Sequence, residues 1–190
     1  MRYDKGHKDT TRRRILEVAS RQFREGGIAA VGMSGLMSKA GLTNGAFYTH
    51  FSSKEALVRD AVIDALEESV GKIEAAVASG AGLEGFIRDY LSPRHRDNPG
   101  RGCVAAALAA EVSRHPAATR GAFTDKFEEV VALIATHIPV GGSEAKRRKS
   151  LSLYGLLIGT VQLARAVSDK RLSDELLTNG LHAALQLIGG

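Results

Sequence analysis

The stretch from Gly32 to Leu57, GMSGLMSKAGLTNGAFYTHFSSKEAL, constrains the fold more than any other part of the chain. Its pattern predicts two short helices around a tight turn, followed by the start of a third helix. Leu36, Met37 and Ala40 share one helical face. Gly41 follows them at the position where a helix often ends in a left-handed residue. This pattern is typical of a helix-turn-helix.

The second half of the stretch supplies the other two helices. Thr43 is placed to cap a short helix over 44–50 with its side-chain oxygen. Phe47 and Phe51 lie one turn apart, so that both are expected to meet a core. A serine of the Ser52–Ser53 pair is then expected to cap the helix that follows.

The string AGLTNGAFYTHFSSKEAL, with Ile15 and Phe23 in a basic helix upstream, closely resembles the DNA-binding domain of the TetR family of transcriptional repressors. The resemblance is specific over about residues 9–58 and architectural beyond. It implies an all-α fold of about nine helices. A three-helix DNA-binding domain with the helix-turn-helix is expected over 1–53, and a helical effector-binding and dimerisation domain over 54–190. The chain departs from the family pattern at Gly32–Ser34, where a capping Thr or Ser followed by Arg or Asp is common.

The resemblance and the chemistry of the second short helix together predict a DNA site. Asn44 can pair with adenine, Gly45 allows close approach, and Ala46 can touch a thymine methyl group. Other side chains match family positions that hold phosphates or fix the helix in the groove. The predicted DNA-contacting residues are Ser34, Thr43, Asn44, Gly45, Ala46, Tyr48, His50 and Lys54. Two alternatives stay open here, a core position for Tyr48 and a helix-start role for His50.

The charge distribution agrees with a nucleic-acid partner. Residues 1–60 hold eleven basic and six acidic side chains, whereas residues 61–190 hold fifteen of each. A local basic excess is the electrostatic footprint of a phosphate-binding surface. On charge alone, a merely solvated basic face explains the excess equally well.

The region after residue 54 is predicted to be helical throughout. An amphipathic run over about 54–78 is long enough to connect the two domains and to transmit a signal between them. Residues 92–101, SPRHRDNPGR, contain two prolines and a glycine and are predicted to be the longest irregular loop.

If the second domain follows the family, several of its residues surround a cavity for an apolar or aromatic effector. The predicted ligand-binding residues are Phe86, Tyr90, Cys103, Phe123, Phe127, Tyr154 and Gln162. Helical aromatic residues also pack as ordinary core, and that alternative stays open. Cys103 lies near a helix start and Arg101, which favours a thiolate. Similar repressors sense electrophiles or oxidants in this way, and inert buried filling is the alternative.

The last two predicted helices, about 143–168 and 173–188, are too apolar for one small domain to cover. A homodimer through these helices is expected, and the resemblance favours it over packing within one subunit. Gly155 and Gly159, four residues apart, would let two backbones approach. Two copies of the short helix spaced about 34–36 Å apart would read a palindromic operator.

Other function classes find little support in the sequence. The segment Gly80–Gly85 matches GxGxxG, but it follows a helix instead of a strand, so no dinucleotide cofactor is expected. The six histidines lack metal-ligand spacing, and no catalytic motif is present, which argues against an enzyme. No signal peptide or membrane span is evident, so a cytoplasmic location is expected.

The sequence therefore predicts a dimeric, ligand-responsive regulator of transcription, most simply a repressor released by a small apolar, aromatic or electrophilic effector. A helical adaptor that binds only proteins is the alternative. Activation in place of repression, the operator sequence and the effector's identity stay open.

Overall fold

The computed structural model describes residues 5–189, with side chains from residue 8, so the outer ends of the two predicted domains lie outside the described residues. Within this range the chain forms nine α-helices and two 3₁₀ helices and no strand, which confirms the all-α prediction. The α-helices are α1 (Lys5–Gly26), α2 (Met33–Lys39), α3 (Lys54–Ala78), α4 (Gly82–Tyr90), α5 (Pro93–Asp97), α6 (Val104–Val112), α7 (Ala117–Thr136), α8 (Ser143–Ala166) and α9 (Lys170–Gly189). The first 3₁₀ helix is Asn44–Thr49 and the second is Pro99–Arg101. None of the described helices is long and apolar enough to cross a bilayer.

The first three α-helices and the first 3₁₀ helix enclose a small core. The core residues predicted from spacing are all buried, namely Ile15, Phe23, Leu36, Phe47 and Phe51. The rings of Phe47 and Phe51 stack with their centroids 5.8 Å apart. The guanidinium of Arg12 covers the Phe51 ring at 4.8 Å and also pairs with Asp60 of α3 at 2.5 Å. These contacts fix the short helices against α1 and α3.

The turn between the two short helices requires a glycine. Gly41 has φ +68°, a left-handed conformation that side chains with a Cβ rarely adopt. A Cβ at this position would also lie 2.8 Å from the Arg14 guanidinium. The predicted cap from Thr43 is wrong, because its side chain makes no capping hydrogen bond and the helix after it is 3₁₀. The cap on α3 is confirmed, since Ser53 accepts a hydrogen bond from the Ala56 N–H.

The two halves of the chain share α3 and part of their cores. One buried cluster joins the first three α-helices to Val104, Leu108 and Val112 of α6. The other joins the end of α3, at Ile73, to α4 and the last three helices. A division into domains after residue 53 stays a prediction, and α3 and α6 each belong to the packing on both sides of it.

The prediction of an irregular loop over 92–101 is wrong, because this segment folds into α5 and the second 3₁₀ helix. Ser92 caps α5 by accepting a hydrogen bond from the His95 N–H, and Pro93 occupies the first turn, where its missing N–H costs nothing. Arg96, buried to 5% exposure, donates to Ser173 and Asp174 of α9 at 2.9 and 2.6 Å. These long-range bonds give an ordered structure to a segment of low helical propensity.

A buried arginine joins the first helix to the rest of the molecule. The Arg24 guanidinium donates to the Gly102 carbonyl at 2.9 Å and to the Glu68 carboxylate at 2.9 Å. Its Nε also donates to the Ser20 carbonyl at 3.2 Å. Arg24 thus connects α1, α3 and the segment that precedes α6 through one side chain that is only 4% exposed.

We expect Arg24→Met to lower the free energy of unfolding by about 2 kcal/mol. The substitution keeps most of the apolar stem but leaves the buried Gly102 carbonyl without its partner, and such a group costs roughly 1–3 kcal/mol. Urea denaturation followed by circular dichroism measures the change.

Arg21→Met is the matched control, because Arg21 lies on the same helix and makes only an exposed pair with Glu25. Exposed pairs of this kind contribute roughly 0–0.5 kcal/mol. Equal losses in the two variants would show that the buried contact contributes nothing special.

Candidate functional site

The first 3₁₀ helix presents one polar face to solvent while its other face is anchored in the core. Phe47 is 2% exposed, whereas the neighbouring Tyr48 is 73% exposed. Asn44 and Gly45 at the start of the helix are exposed as well, and no other atom lies within 4 Å of a Cβ built at Gly45. The core alternative for Tyr48 is therefore excluded. A flat polar edge of this kind can approach a large partner without backbone collision.

Lys54 has a role inside the protein. Its ammonium donates to the carbonyls of Ile28 and Val31 at 3.0 and 2.7 Å, which ties the start of α3 to the segment between α1 and α2. A phosphate contact by Lys54 stays a prediction, and these two carbonyls already take two of the three donors of its ammonium. Ser34 is exposed in the first turn of α2, where the preceding Gly32 supplies no side-chain cap.

Two further basic side chains lie beside the helix-turn-helix and were not predicted as site residues. The Arg14 guanidinium lies against Gly41, and Lys39 is exposed in the last turn of α2. Both place positive charge at the turn between the two short helices. The run Arg12–Arg14 in the sequence indicated a basic face, but only the packing of α1 shows which of its members faces this turn.

A second site lies in the helical body, where a cavity of about 390 Å³ opens between α3, α4, α5 and the start of α6. Its lining residues are Ser69, Lys72, Phe86, Asp89, Tyr90, Arg94, His95, Asn98, Arg101, Cys103 and Tyr154. Aromatic and buried side chains form its inner part, and charged side chains surround its opening. Enclosed apolar surface with a few convergent polar groups is typical of a small-molecule site.

Two tyrosines and the cysteine form the polar part of the inner wall. The Cys103 sulfur lies 3.4 Å from the Tyr154 hydroxyl. The Tyr90 hydroxyl is buried and has no hydrogen-bond partner among the described residues. Burial, and then the neighbouring Cys103, raises the pKa of both phenols well above 10, so that each stays a hydrogen-bond donor.

His95 holds one wall of the cavity in place. Its Nδ1 lies 2.6 Å from the Tyr90 carbonyl, and its Nε2 accepts a hydrogen bond from the Cys103 N–H at 2.9 Å. This pair of bonds requires the neutral ring with the proton on Nδ1. Burial, reinforced by Arg165 and Lys72, lowers the pKa of His95 from its ordinary 6.5 to about 4. Gly102 completes the contact, because a Cβ there would lie 2.7 Å from His95 Nε2.

The amino-terminal sequence matches a known family model. Residues 15–61 match the model described as bacterial regulatory proteins, tetR family. Residues 15–61 therefore form a TetR-family DNA-binding domain. The matched region begins in α1, includes both short helices and the turn between them, and ends in the first two turns of α3.

Curated relatives of the TetR family match the amino-terminal part of the chain. The transcriptional repressor KstR2 of Rhodococcus jostii is 34% identical over 77 residues, covering 40% of this chain and 38% of its own. The regulator TtgR of Pseudomonas putida is 38% identical over 69 residues, covering 36% of this chain and 32% of its own. The chain thus spans less than half the length of these relatives.

Solved structures resemble the whole fold. The reduced form of NemR from Escherichia coli has a TM-score of 0.78 at 24% identity, covering 94% of this chain and 97% of the other. A TetR transcriptional regulator from Legionella pneumophila has a TM-score of 0.79 at 17% identity, covering 92% and 95%. At these identities the comparison shows a shared fold.

The cavity contains only part of the predicted ligand set. Phe86, Tyr90, Cys103 and Tyr154 line it. Phe123, Phe127 and Gln162 are not among its lining residues. Phe127 packs between the rings of Tyr154 and Phe123, at 5.2 and 5.9 Å, and the two phenylalanines therefore belong to the packing behind the wall.

The polar lining residues outside the predicted set are Ser69, Lys72, Asp89, Arg94, His95, Asn98 and Arg101. Four of these seven come from the segment 92–101. The density of basic residues in SPRHRDNPGR was the available signal, and its prolines favoured a loop instead. Among residues 8–189, no three His, Cys, Asp or Glu side chains are grouped to hold a metal ion.

We expect acid to destabilise the fold through His95. The unfolded chain binds a proton near pH 6.5, whereas the folded chain does so only near pH 4. Between these values the unfolded state holds more protons, so the free energy of unfolding falls as the pH falls, by on the order of 2 kcal/mol. Urea denaturation at intervals from pH 7 to pH 4 measures this loss.

His95→Gln removes the titrating group while keeping one donor and one acceptor. The free energy of unfolding of this variant should therefore fall less between pH 7 and pH 4. His182→Gln, an exposed position on α9, is the control and should retain the full loss. If the two variants lose equal stability on acidification, His95 is not the responsible group.

Proposed function

We propose that this protein is a transcriptional regulator, most simply a repressor, which binds a palindromic DNA operator as a homodimer in the cytoplasm and is released by a small molecule. The observation that carries this proposal is the exposed edge Asn44–Tyr48 on a rigidly packed helix-turn-helix. The names of the matched relatives, transcriptional repressor and transcriptional regulators, support it.

The exposed edge has the chemistry that a major groove requires. Asn44 offers both a donor and an acceptor to adenine, and Ala46 a methyl group to thymine. Tyr48, with Thr43 and His50, holds the backbone and sets the register of the helix. Arg14 and Lys39 add positive charge at the adjoining turn, where phosphates would pass.

A dimer is supported by the outer face of the last two long helices. Leu151 and Leu163 on α8 and Leu172 on α9 are large apolar side chains exposed to 39%, 56% and 43%. Gly155 and Gly159 lie on the same face of α8, and no atom lies within 4 Å of a Cβ built at either. A second copy of the chain would cover this face and would place two copies of the Asn44–Thr49 helix on one side of a duplex.

Two structural routes connect the cavity to the exposed edge Asn44–Tyr48. Ser69 and Lys72 belong to α3, whose amino end follows the first 3₁₀ helix directly. Gly102, next to Cys103 in the cavity wall, is bonded to Arg24 of α1. A ligand that fits one arrangement of this wall better than another would shift both helices, and only that difference in affinity drives release.

Tyr48→Ala is expected to weaken DNA binding by about tenfold, because it removes the exposed ring of the proposed DNA-contacting edge. Fluorescence anisotropy with DNA flanking the protein's own gene, after footprinting has located the site, measures the affinity. Tyr48→Phe separates the hydroxyl from the ring, and Val140→Ala, at another exposed apolar position, is the control. Unchanged affinity for Tyr48→Ala would remove the proposed role of this edge.

Salt separates this proposal from the helical adaptor that binds only proteins. For a DNA-binding head, the logarithm of the association constant falls linearly with the logarithm of salt concentration, since each phosphate contact releases counterions. Lys39→Gln should make the slope shallower by about one. An interaction that is absent, or insensitive to salt, favours the adaptor.

Leu163→Glu is expected to convert the dimer to a monomer, because it places a charge in the centre of the proposed apolar interface. Analytical ultracentrifugation at micromolar concentration measures the change. Val140→Glu, which adds the same charge at a position 62% exposed in the turn before α8, should leave the dimer intact. A parent protein that sediments as a monomer would contradict the proposed interface.

A further inference from the structure

The opening of the cavity carries two exposed cations, Lys72 and Arg101. Lys72 on α3 and Arg101 at the end of the second 3₁₀ helix both line the cavity, and neither forms an ion pair within residues 8–189. The Lys72 ammonium donates to the Arg101 carbonyl at 2.9 Å, so the two residues lie on the same side of the opening. A third cation, Arg94, is paired with Asp89.

The charges deeper in the wall add to the same field. Asp89 is the only carboxylate among the lining residues, and it forms an ion pair with Arg94. The Arg165 guanidinium lies behind His95 and donates to the carbonyls of His95 and Arg96 at 2.8 and 3.0 Å. A cationic ligand would meet Lys72 and Arg101 with no free carboxylate to bind it, whereas an anionic group would be attracted to both.

The inner part of the cavity selects for a different chemistry. Phe86, Tyr90 and Tyr154 offer ring faces, and the Phe86 and Tyr90 centroids lie 5.7 Å apart in an edge-to-face pair. The Tyr90 hydroxyl, on a side chain that is 6% exposed, is a donor without an acceptor. A buried donor of this kind is expected to have a partner when the site is filled. An aromatic body with one acceptor atom satisfies the rings and the hydroxyl together.

We propose that this cavity binds an aromatic anion, whose ring system packs on Phe86, Tyr90 and Tyr154 and whose carboxylate or sulfonate group is held at the opening by Lys72 and Arg101. The inference rests on the proposed function, because that proposal gives the ligand its role as an effector. It narrows the expected apolar or aromatic ligand to one with a negative charge at one end.

Two fluorescent probes that differ only by a sulfonate group test this directly. They are 8-anilinonaphthalene-1-sulfonate and uncharged N-phenyl-1-naphthylamine, which share the same aromatic body. The parent protein should bind the sulfonate at least fivefold more tightly than the uncharged probe. Raising the salt concentration should weaken binding of the sulfonate and leave the other unchanged, since the opening is exposed to solvent. Equal or tighter binding of the uncharged probe would overturn the proposal.

Substitution of the two cations locates the effect. Lys72→Met with Arg101→Met should weaken binding of the sulfonate by about tenfold, because each exposed cation contributes a few-fold, and should leave the uncharged probe unaffected. Arg120→Met, which removes an exposed cation on α7 away from the cavity, is the matched control and should change neither. A double variant that behaves as the control does would contradict the assigned anion site.

The chain contains no tryptophan, so energy transfer from tyrosine reports where the probe lies. At saturation, Tyr90→Phe should reduce transfer to the bound sulfonate, and Tyr48→Phe should not. Transfer that is independent of Tyr90 would show that the probe occupies another apolar surface, which would also overturn the proposal. Because these titrations contain no DNA, their failure leaves the DNA-binding proposal standing, and a failure to bind DNA leaves them interpretable.

Discussion

One buried guanidinium links the two halves of this molecule across the core that they share. Arg24 reaches from α1 to the Gly102 carbonyl and to Glu68 on α3, and it does so from a position almost closed to water. In such a setting a hydrogen bond is stronger than at the surface, and its loss leaves a buried acceptor unsatisfied. Arg24 thus holds α1, α3 and the Gly102 segment beside the cavity through one side chain.

The shared cores give this connection its stiffness. Val104, Leu108 and Val112 of α6 pack with the amino-terminal helices, and α3 crosses from one cluster to the other. Densely packed interiors deform little and tend to move between discrete arrangements. On the proposed function, a ligand in the cavity would therefore act on α1, α3 and α6 as packed helices that share one core.

The sequence predicted what depends on local patterns. Gly41, Phe47 and Phe51 specify the turn and the inward face of the second short helix, because they act through backbone conformation and helical spacing.

The prediction of a loop over 92–101 was wrong because the order of this segment depends on contacts distant in the sequence. Its prolines and charges resemble a loop, and what orders it is the bond from Arg96 to Asp174, a residue 78 positions away. The same holds for the polar lining of the cavity, which comes from four separate elements, α3, α4, α5 and the second 3₁₀ helix. No spacing rule relates Lys72 to Arg101, and only folding brings them together.

The 3₁₀ geometry of Asn44–Thr49 has a further consequence. With three residues per turn, side chains three positions apart are eclipsed along the helix, so Gly45 lies directly in line with Tyr48. A Cβ built at Gly45 meets no side chain within 4 Å, and the Tyr48 ring packs edge-to-face on Phe47 with the two centroids 5.1 Å apart. The phenol is therefore held beside Phe47, and the strip of surface over Gly45 stays open. A larger side chain at position 45 would fill this strip and keep the surface of a partner away from the backbone.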